Sequence, residues 1–368
     1  MNLATFFENL LVIELANVLA GPAVGMFFAE MGAKVVKIES TETKGDVTRT
    51  WKTEHESFDN DISAYFSSVN WGKYSLALNL KNPESLSHLY ALVGKADIVI
   101  ANYKPGDDVK LKVDYETLKQ YKHDLIYGKI NGYGSTNTRA GFDAIIQAEA
   151  GYAFMNGTLD TPPLKMPLAL MDLLAAHQLK QALLLALMQR QMTGEGVCVE
   201  VSLIHAGVSA LANQAANYLV ANHVPQRIGS EHPNIVPYGT IYSTLDDKQI
   251  TLAVGNDAQF AKLCAILNFP ELAKDEKYAT NFQRVKHRNE LNAILSRAIA
   301  NEHAQVLMDK FIAQAVPAGM VNDMQSVFMM PEAQELLMEK EGMKGLRTIA
   351  FKGIVPQRDL KQPPHFNE

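Results

Sequence analysis

The sequence has 368 residues, a length that favours about two domains of ordinary size. Apolar residues make up 47% of it and charged residues 20%, which is typical of a globular chain and excludes a disordered one. The formal net charge of −6 excludes a globally basic surface for nucleic acid, so cations for an anionic ligand must be gathered locally.

Signals for membranes and export are weak. The longest purely apolar runs, such as residues 182–188, are far shorter than the ~18 residues needed to span a bilayer. The N-terminus has no basic segment before its apolar run, unlike a signal peptide. Two cysteines, Cys198 and Cys264, are too few for a disulfide framework or a cysteine zinc site. We therefore predict a cytoplasmic protein that binds neither membrane nor nucleic acid.

The first part of the chain alternates short apolar runs with helix-length segments. Strands are predicted at residues 10–15, 35–39, 75–80, 97–101 and 125–130, and helices at 23–31 and 83–95. Gly21-Pro22 predicts a turn after the first strand. This alternation indicates an α/β protein with a largely parallel sheet, whose ligands lie beyond the carboxyl ends of the strands.

The rest of the chain is mainly helical and contains a polar linker near residues 222–234. The further predicted helices cover residues 144–156, 168–191, 204–219, 257–267 and 288–300, and the further strands cover 197–201, 239–243 and 249–254. We predict a large α/β domain over residues 1–220, to which 316–368 return, and a smaller α/β domain over 225–315.

Common catalytic motifs are incomplete or missing in the sequence. Gly132-Tyr133-Gly134 lacks the third glycine of a dinucleotide-binding loop, and no strand and helix frame it. The ten histidines show no metal-ligand spacing, and neither a nucleophile elbow nor a P-loop occurs. We therefore expect no metal site, and standard motifs leave the function open.

Ten short segments are more informative because of their order. They are Asn17–Pro22, Met31–Glu39, Gly45–Arg49, Asn70–Leu76, Asn102–Gly106, Ala140–Asp143, Thr193–Gly196, His232–Tyr238, Gly255–Asp257 and Pro317–Gly319. Together they resemble the class III (CaiB/BaiF-type) coenzyme A transferases, in the right order over nearly the whole chain. The resemblance implies a Rossmann-like domain, a smaller α/β domain and an interlaced homodimer. Such a dimer would be obligate, because it buries far more than the ~1,600 Å² of a standard interface.

Asp172 lies where this family has its catalytic aspartate, near the start of the helix predicted at 168–191. Taken alone, an acidic residue at a helix start more often caps the helix or complements its dipole. The resemblance implies instead a nucleophile that moves CoA from an acyl-CoA to a small carboxylic acid through an aspartyl-CoA thioester. It implies CoA thioesters as substrates and no tightly bound cofactor.

The resemblance also implies a set of contacts to CoA. These residues are Asn17, Val18, Leu19, Ala20, Leu78, Asn102, Tyr103, Lys110 and Lys129. Lys110 takes the position of a phosphate-binding arginine, and Lys129 that of a lysine close to the pantetheine path. Each has a plainer alternative: Leu78 is equally suited to the core, and Lys110 to a solvated helix surface.

The sequence departs from the family at several positions. Ser40, Trp71 and Tyr74 stand where formyl-CoA transferases or the common family segment have cations. The contacts with the CoA phosphates must therefore differ or be weaker. The glycine-rich oxalate loop of formyl-CoA transferases is reduced to Gly255-Asn256, which argues against oxalate as the acceptor.

Two other functions compete with CoA transfer. The α-methylacyl-CoA racemases of this family need a histidine in a Gly-His-Asp segment, but this chain has Phe142 there, and phenylalanine cannot move a proton. A catalytically silent CoA-binding protein on the same fold is the second alternative, because fold likeness alone does not prove activity. The presence of Asp172 favours the transferase.

Overall fold

The computed structural model describes residues 3–354 and 357–368. The helices are α1 Leu3–Glu8, α2 Ala20–Met31, α3 Ala64–Ser67, α4 Pro83–Val93, α5 Asp107–Lys110, α6 Tyr115–Leu118, α7 Asp143–Glu149, α8 Tyr152–Met155, α9 Leu170–Thr193, α10 Leu203–Ser209, α11 Ala212–Ala221, α12 Asp257–Ile266, α13 Asn281–Lys286, α14 Arg288–Ile299, α15 Ala304–Ala313, α16 Met324–Val327 and α17 Pro331–Gln334. The strands are β1 Leu11–Glu14, β2 Lys34–Ser40, β3 Lys73–Leu78, β4 Ile98–Ala101, β5 Ile126–Asn131, β6 Val197–Ser202, β7 Tyr238–Ser243, β8 Gln249–Ala253, β9 Ala318–Met320, β10 Leu337–Lys340 and β11 Met343–Leu346. Short 3₁₀ segments cover Val47–Thr50 and Pro270–Lys274.

The chain divides into two compact units. The sheet unit consists of Met1–Gly151, Met166–Ala212 and Glu332–Glu368, and the small unit of Tyr152–Lys165 and Asn213–Pro331. The small unit has its own antiparallel sheet, β7-β8-β9, and its own apolar core. The domain boundaries predicted from the sequence, and the roles assigned to the two domains, stay predictions.

Strands β1 to β6 form one parallel sheet in the spatial order β3-β2-β1-β4-β5-β6. Ile13 of β1 lies beside Val36 of β2 on one side and Val99 of β4 on the other. The strand order therefore reverses between β1 and β4, and the crevice at such a reversal is where open α/β sheets bind ligands. The predicted α/β class with a largely parallel sheet is confirmed.

The central strands are almost continuously apolar because helices cover both faces of the sheet. All four residues of β4 are buried, and so are all twelve of α2. On one face, Leu89 and Val93 of α4 complete a core with the strands. Each fully buried side chain of this kind contributes about 1.5–3 kcal/mol of hydrophobic free energy.

Helix α2 begins at Ala20 and runs through the predicted turn at Gly21-Pro22, so that turn is wrong. Pro22 is tolerated because it lies in the first turn, where no intrahelical N–H bond is lost. A Cβ atom on Gly21 would lie 2.2 Å from the Cβ of Ala16. Glycine therefore allows the helix start to lie against the end of β1.

Helix α9 packs along β5, β6, α2 and α10. Its buried side chains recur at helical spacing and are Met171, Ala175, Ala176, Leu179, Lys180, Leu183, Ala186 and Leu187. A Cβ atom on Gly128 of β5 would lie 3.0 Å from Leu183, so this glycine sets how closely the helix approaches the sheet. By length and composition α9 could span a membrane, but this face of it is buried within the fold.

Two helices predicted as continuous are each interrupted. The segment predicted at 144–156 breaks at Gly151, whose φ is 86°. The segment predicted at 204–219 breaks at residues 210–211, and Ala212, the first residue of α11, has a φ of 44°. A positive φ is incompatible with α-helix geometry. The apolar periodicity on either side concealed both breaks.

Candidate active site

A cavity of about 280 Å³ opens at the carboxyl ends of β1, β4 and β5, beside the start of α9. Its lining residues are Asn17, Val18, Leu19, Ala20, Asn102, Tyr103, Lys104, Pro105, Asp107, Ile130, Asn131, Gly132, Arg139, Ala140, Gly141, Phe142, Asp172 and Leu203. Seven of the ten residues predicted from the sequence are therefore brought together, including Asp172. They come from segments far apart in the chain that the reversal of strand order places side by side.

The turn after β1 is tied to the loop after β4 through Asn102. The Asn102 side chain accepts a hydrogen bond from the Asn17 N–H at 3.0 Å and donates one to the Asn17 carbonyl at 2.7 Å. This pairing satisfies both backbone groups of Asn17 in a segment without regular structure. It fixes one wall of the cavity.

Asp172 is the third residue of α9 and is half-buried in this cavity. Burial, together with the nearby Asp143 carboxylate, raises its pKa from 3.8 to about 7. The carboxylate is consequently poorly solvated and only partly ionised near neutral pH. A desolvated carboxylate next to a cavity is well suited to nucleophilic chemistry.

Asp143 and Gln147 fasten the segment that leads into Asp172. Asp143 accepts a hydrogen bond from the Met171 N–H at 2.8 Å, and the Gln147 side chain donates to its other carboxylate oxygen at 2.7 Å. The Gln147 side chain also donates to the Leu168 carbonyl at 3.1 Å. Asp143, the last residue of a family-like segment, therefore affects Asp172 in two ways. It holds the backbone of the preceding residue in place, and its negative charge raises the pKa of Asp172.

Tyr65 is a site neighbour that sequence reasoning missed. Burial raises its pKa, and the carboxylates of Asp172 and Asp143 act in the same direction. Its ring packs edge-on against Trp51, with the ring centroids 5.1 Å apart. No local motif marks Tyr65, because it reaches the site only through tertiary folding.

The other predicted CoA contacts lie elsewhere. Leu78 is buried and lines a second cavity of about 200 Å³, which it shares with Asn17 and Tyr103. Lys110 and Lys129 are absent from the linings of both cavities as the described residues define them. Lys110 is exposed and pairs with Asp107 at 2.9 Å. Lys129 pairs with the buried Asp108 at 3.0 Å.

Three cations at the two cavities were not singled out from the sequence. Lys104 and Arg139 line the cavity of Asp172, and Lys81 lines the second one. The Arg139 guanidinium lies 4.5 Å from the centre of the Tyr133 ring and pairs with Glu149 at 2.5 Å. In the sequence, these three cations are marked only by their position in segments that follow strands. Many solvated cations have the same position, so it does not single them out.

Comparison with known proteins identifies the chain's relatives. The sequence model of CoA-transferase family III matches residues 7–366. A succinate–glutarate CoA-transferase of Agrobacterium fabrum is 37% identical over 370 residues, which cover 97% of this chain and 92% of that protein. A human succinyl-CoA:glutarate CoA-transferase is 35% identical over 346 residues, covering 93% of this chain and 78% of that protein.

A solved structure shows the same similarity in three dimensions. The crystal structure of a CaiB/BaiF family protein from Brucella suis superposes with a TM-score of 0.85 and 37% identity, covering 98% of this chain and 96% of that one. The family resemblance stated from the ten short segments is confirmed. The chain belongs to CoA-transferase family III, and its enzyme class is that of the class III CoA-transferases.

Proposed function

We propose that this CoA-transferase moves CoA between dicarboxylic acids of four or five carbons, with Asp172 as the covalent carrier. The observation that carries the proposal is the desolvated Asp172 carboxylate in the cavity at the strand-order reversal. Relatives named for succinate and glutarate support the choice of substrates. Lys104 and Arg139 on the same cavity supply positive charge for a second substrate carboxylate.

In the first half-reaction, an Asp172 oxygen attacks the thioester carbonyl of the donor acyl-CoA. The tetrahedral intermediate expels the CoA thiolate and leaves a mixed anhydride between Asp172 and the acyl group. The thiolate then attacks the Asp172 carbonyl and releases the donor acid as its carboxylate. The enzyme now holds an aspartyl-CoA thioester, and the thioester bond energy has been retained.

The second half-reaction runs these steps in reverse. The acceptor carboxylate attacks the aspartyl-CoA carbonyl and expels the thiolate, which gives a new anhydride. The thiolate attacks the acceptor acyl carbonyl, forms the product acyl-CoA and restores the Asp172 carboxylate. No net proton is taken up or released, so the cavity needs an ionised aspartate and no general acid.

We propose the predicted CoA contacts as the binding path for the nucleotide. Asn17, Leu78 and Tyr103 line the second cavity, and so do Ser40 and Lys81, whose ammonium group pairs with Glu42 at 2.7 Å. This arrangement supports a phosphate contact from Lys81 where the family cation at position 40 is missing. Lys110 and Lys129 belong to the proposal through the resemblance only.

We further propose an obligate interlaced homodimer in the cytoplasm. Three apolar side chains of α9 support it, since Leu185, Met188 and Met192 are 65%, 61% and 77% exposed in the single chain. Strand β6 is an edge of the large sheet, and an open edge is normally covered or otherwise protected. A partner chain that threads across α9 would cover such a surface.

The proposed chemistry is tested by trapping the intermediate. The enzyme is incubated with succinyl-CoA alone, and the peptide containing Asp172 is examined by mass spectrometry for a CoA adduct. Labelled glutarate should enter acyl-CoA only when donor and acceptor are both present. Transfer without any adduct on Asp172 would exclude the covalent route.

The racemase alternative is tested in the same preparation. Phe142 lines the cavity of Asp172 with its ring 60% exposed, and it offers no group that could exchange a proton. We therefore expect no α-deuterium uptake into 2-methylacyl-CoA in deuterated water. Uptake at a rate comparable to CoA transfer would make Asp172 an acid–base residue instead.

A further inference from the structure

The turn after β1 contains a residue in a strained backbone conformation. Val18 has a φ of 71°, in the left-handed region that a β-branched residue rarely adopts. Such a conformation persists only where the surroundings impose it, and it is often found at functional sites. Val18 lines the cavity that also contains Asp172.

A buried carboxylate also binds this turn. The Val18 N–H donates to Asp46 at 3.0 Å and 3.3 Å from the two carboxylate oxygens. Asp46 is only 2% exposed. A hydrogen bond from a backbone N–H to an ionised, desolvated carboxylate is stronger than one to a neutral acceptor.

Asp46 is itself held in place and kept ionised. The Lys37 ammonium lies 2.9 Å from it, and Thr48 donates to it from both its N–H and its hydroxyl, at 3.0 Å and 2.9 Å. Although burial works in the other direction, Lys37 and Thr48 keep the pKa of Asp46 below its ordinary value. Lys37 also donates to the Ala16 carbonyl at 2.7 Å, so the same pair supports the turn at two points.

We propose that Asp46 is a positioning residue for CoA transfer, whose carboxylate imposes the left-handed conformation of Val18 and so fixes the cavity wall that Asn17–Leu19 form. This inference rests on the proposed role of that cavity. It assigns a role to the family-like segment Gly45–Arg49, which the mechanism itself does not use.

Asp46→Asn is the informative substitution because it preserves shape. One end of an amide can still accept from Thr48, but the other end then presents a donor to the Val18 N–H and to Lys37. Neither amide orientation satisfies all of these donors. The matched control is Glu30→Gln, since Glu30 is also buried and also accepts hydrogen bonds from a backbone N–H and a threonine hydroxyl, those of Thr348 at 2.8 Å and 2.6 Å, which do not belong to the turn.

The first readout needs no activity. Hydrogen–deuterium exchange of the peptide covering residues 15–24 should be at least about tenfold faster in Asp46→Asn than in wild type or Glu30→Gln. Equal protection in all three proteins would overturn the proposal. This result stands even if the protein transfers no CoA with the substrates tested, so it separates failure of this inference from failure of the proposed function.

The second readout is rescue by glycine. Asp46→Asn should lower kcat/KM for succinyl-CoA roughly tenfold or more, whereas the Val18→Gly change removes the side chain that makes a positive φ unfavourable. The double variant should regain at least about threefold over Asp46→Asn, while Val18→Gly combined with Glu30→Gln should show no such coupling. Strictly additive losses in the Asp46 pair would contradict the proposal.

A third measurement tests the proposal without Asp46→Asn, in case that variant does not fold. In the otherwise wild-type chain, Val18→Gly should melt several degrees above Val18→Ala, because only alanine keeps the β-carbon that the left-handed conformation disfavours. If Val18→Ala is as stable as Val18→Gly, no strain is imposed on the turn and the proposal falls.

Discussion

The two ends of helix α9 lie in opposite surroundings. At its start, Asp172 lies in a cavity of about 280 Å³ together with polar and charged groups from three strand ends. Further along the helix lies a cavity of about 930 Å³, whose walls include Phe27, Leu184 and Met188 and are mostly apolar. The first is a concave site that contains the Asp172 carboxylate and other polar groups, and the second is a large apolar surface. We call them the polar end and the apolar end of the helix.

In the proposed function, this contrast separates chemistry from assembly on a single helix. The polar end gathers the candidate catalytic groups within one chain, because β1, β4 and β5 end at the same edge of the sheet. The apolar end leaves side chains exposed that soluble proteins normally cover, such as Leu185 and Met192. If a partner chain covers them, as proposed, substitutions at the apolar end should also lower the activity of Asp172, because both belong to the same helix.

The largest expected effect is at the polar end. Asp172→Asn should reduce CoA transfer by roughly 10³-fold or more, because an amide cannot form the anhydride or the thioester. CoA binding, measured by calorimetry, should change little. Asp160→Asn, an exposed aspartate of the small unit, is the matched control and should keep full activity. Substantial turnover by the Asp172→Asn protein would remove the covalent mechanism.

The next effect is at the apolar end. A protein carrying both Leu185→Glu and Met188→Glu places two charges on the surface assigned to the partner, so sedimentation should show monomer, and activity should fall about tenfold or more. The control is Ile312→Glu on α15, which is 71% exposed and should remain dimeric. An unchanged oligomeric state with full activity would break the comparison between the two ends.

Sequence patterns predicted the sheet well, for a physical reason. Central strands buried on both faces, such as β4, appear as apolar runs, and the edge strand β6 appears as an alternating pattern. As a result, β1, β2, β4, β5 and β6 lie within about two residues of their predicted positions. Helix ends were less certain because they depend on single residues. Ala212, the first residue of α11, is an example, because an alanine side chain does not predict a positive φ such as the 44° found there.

The site was predictable where a residue follows a strand within a matching segment or, for Asp172, where the family resemblance extends to a helix start. Asn17 and Asn102 were found after strands in this way, whereas no motif marks Tyr65. The ionisation of Asp172 could not be predicted at all. It depends on burial and on its distance from Asp143, which local sequence does not contain.

A stability measurement sharpens the polar side of the comparison. The pKa of Asp172 is raised from 3.8 to about 7, so between these pH values the folded protein holds a proton that the unfolded chain has lost. Stability of the wild type therefore falls as pH rises through this window. The Asp172→Asn protein has no carboxyl group to lose this proton. Its melting temperature should therefore be higher than that of the wild type at pH 8 and equal to it at pH 4. The difference is a few kcal/mol at most, since one pKa unit corresponds to about 1.4 kcal/mol. Equal melting temperatures at pH 8 would mean that Asp172 is not desolvated.

The smallest effect concerns how Asp143 tunes Asp172. Because the nucleophile must be ionised, kcat/KM should rise with pH through a midpoint near 7, the raised pKa of Asp172. Asp143→Asn keeps an acceptor for the Met171 N–H but removes the neighbouring negative charge, so the midpoint should move down by up to roughly one unit. Activity should then rise at pH 6 and stay nearly unchanged at pH 8.5. Glu195→Gln is the control, because Glu195 is an exposed carboxylate just beyond the other end of α9. It should leave the midpoint in place, because burial and Asp143 are the causes of the raised pKa. If the midpoint does not move in Asp143→Asn, burial alone raises the pKa of Asp172. The reactivity at the polar end of α9 would then depend on desolvation rather than on a pair of carboxylates.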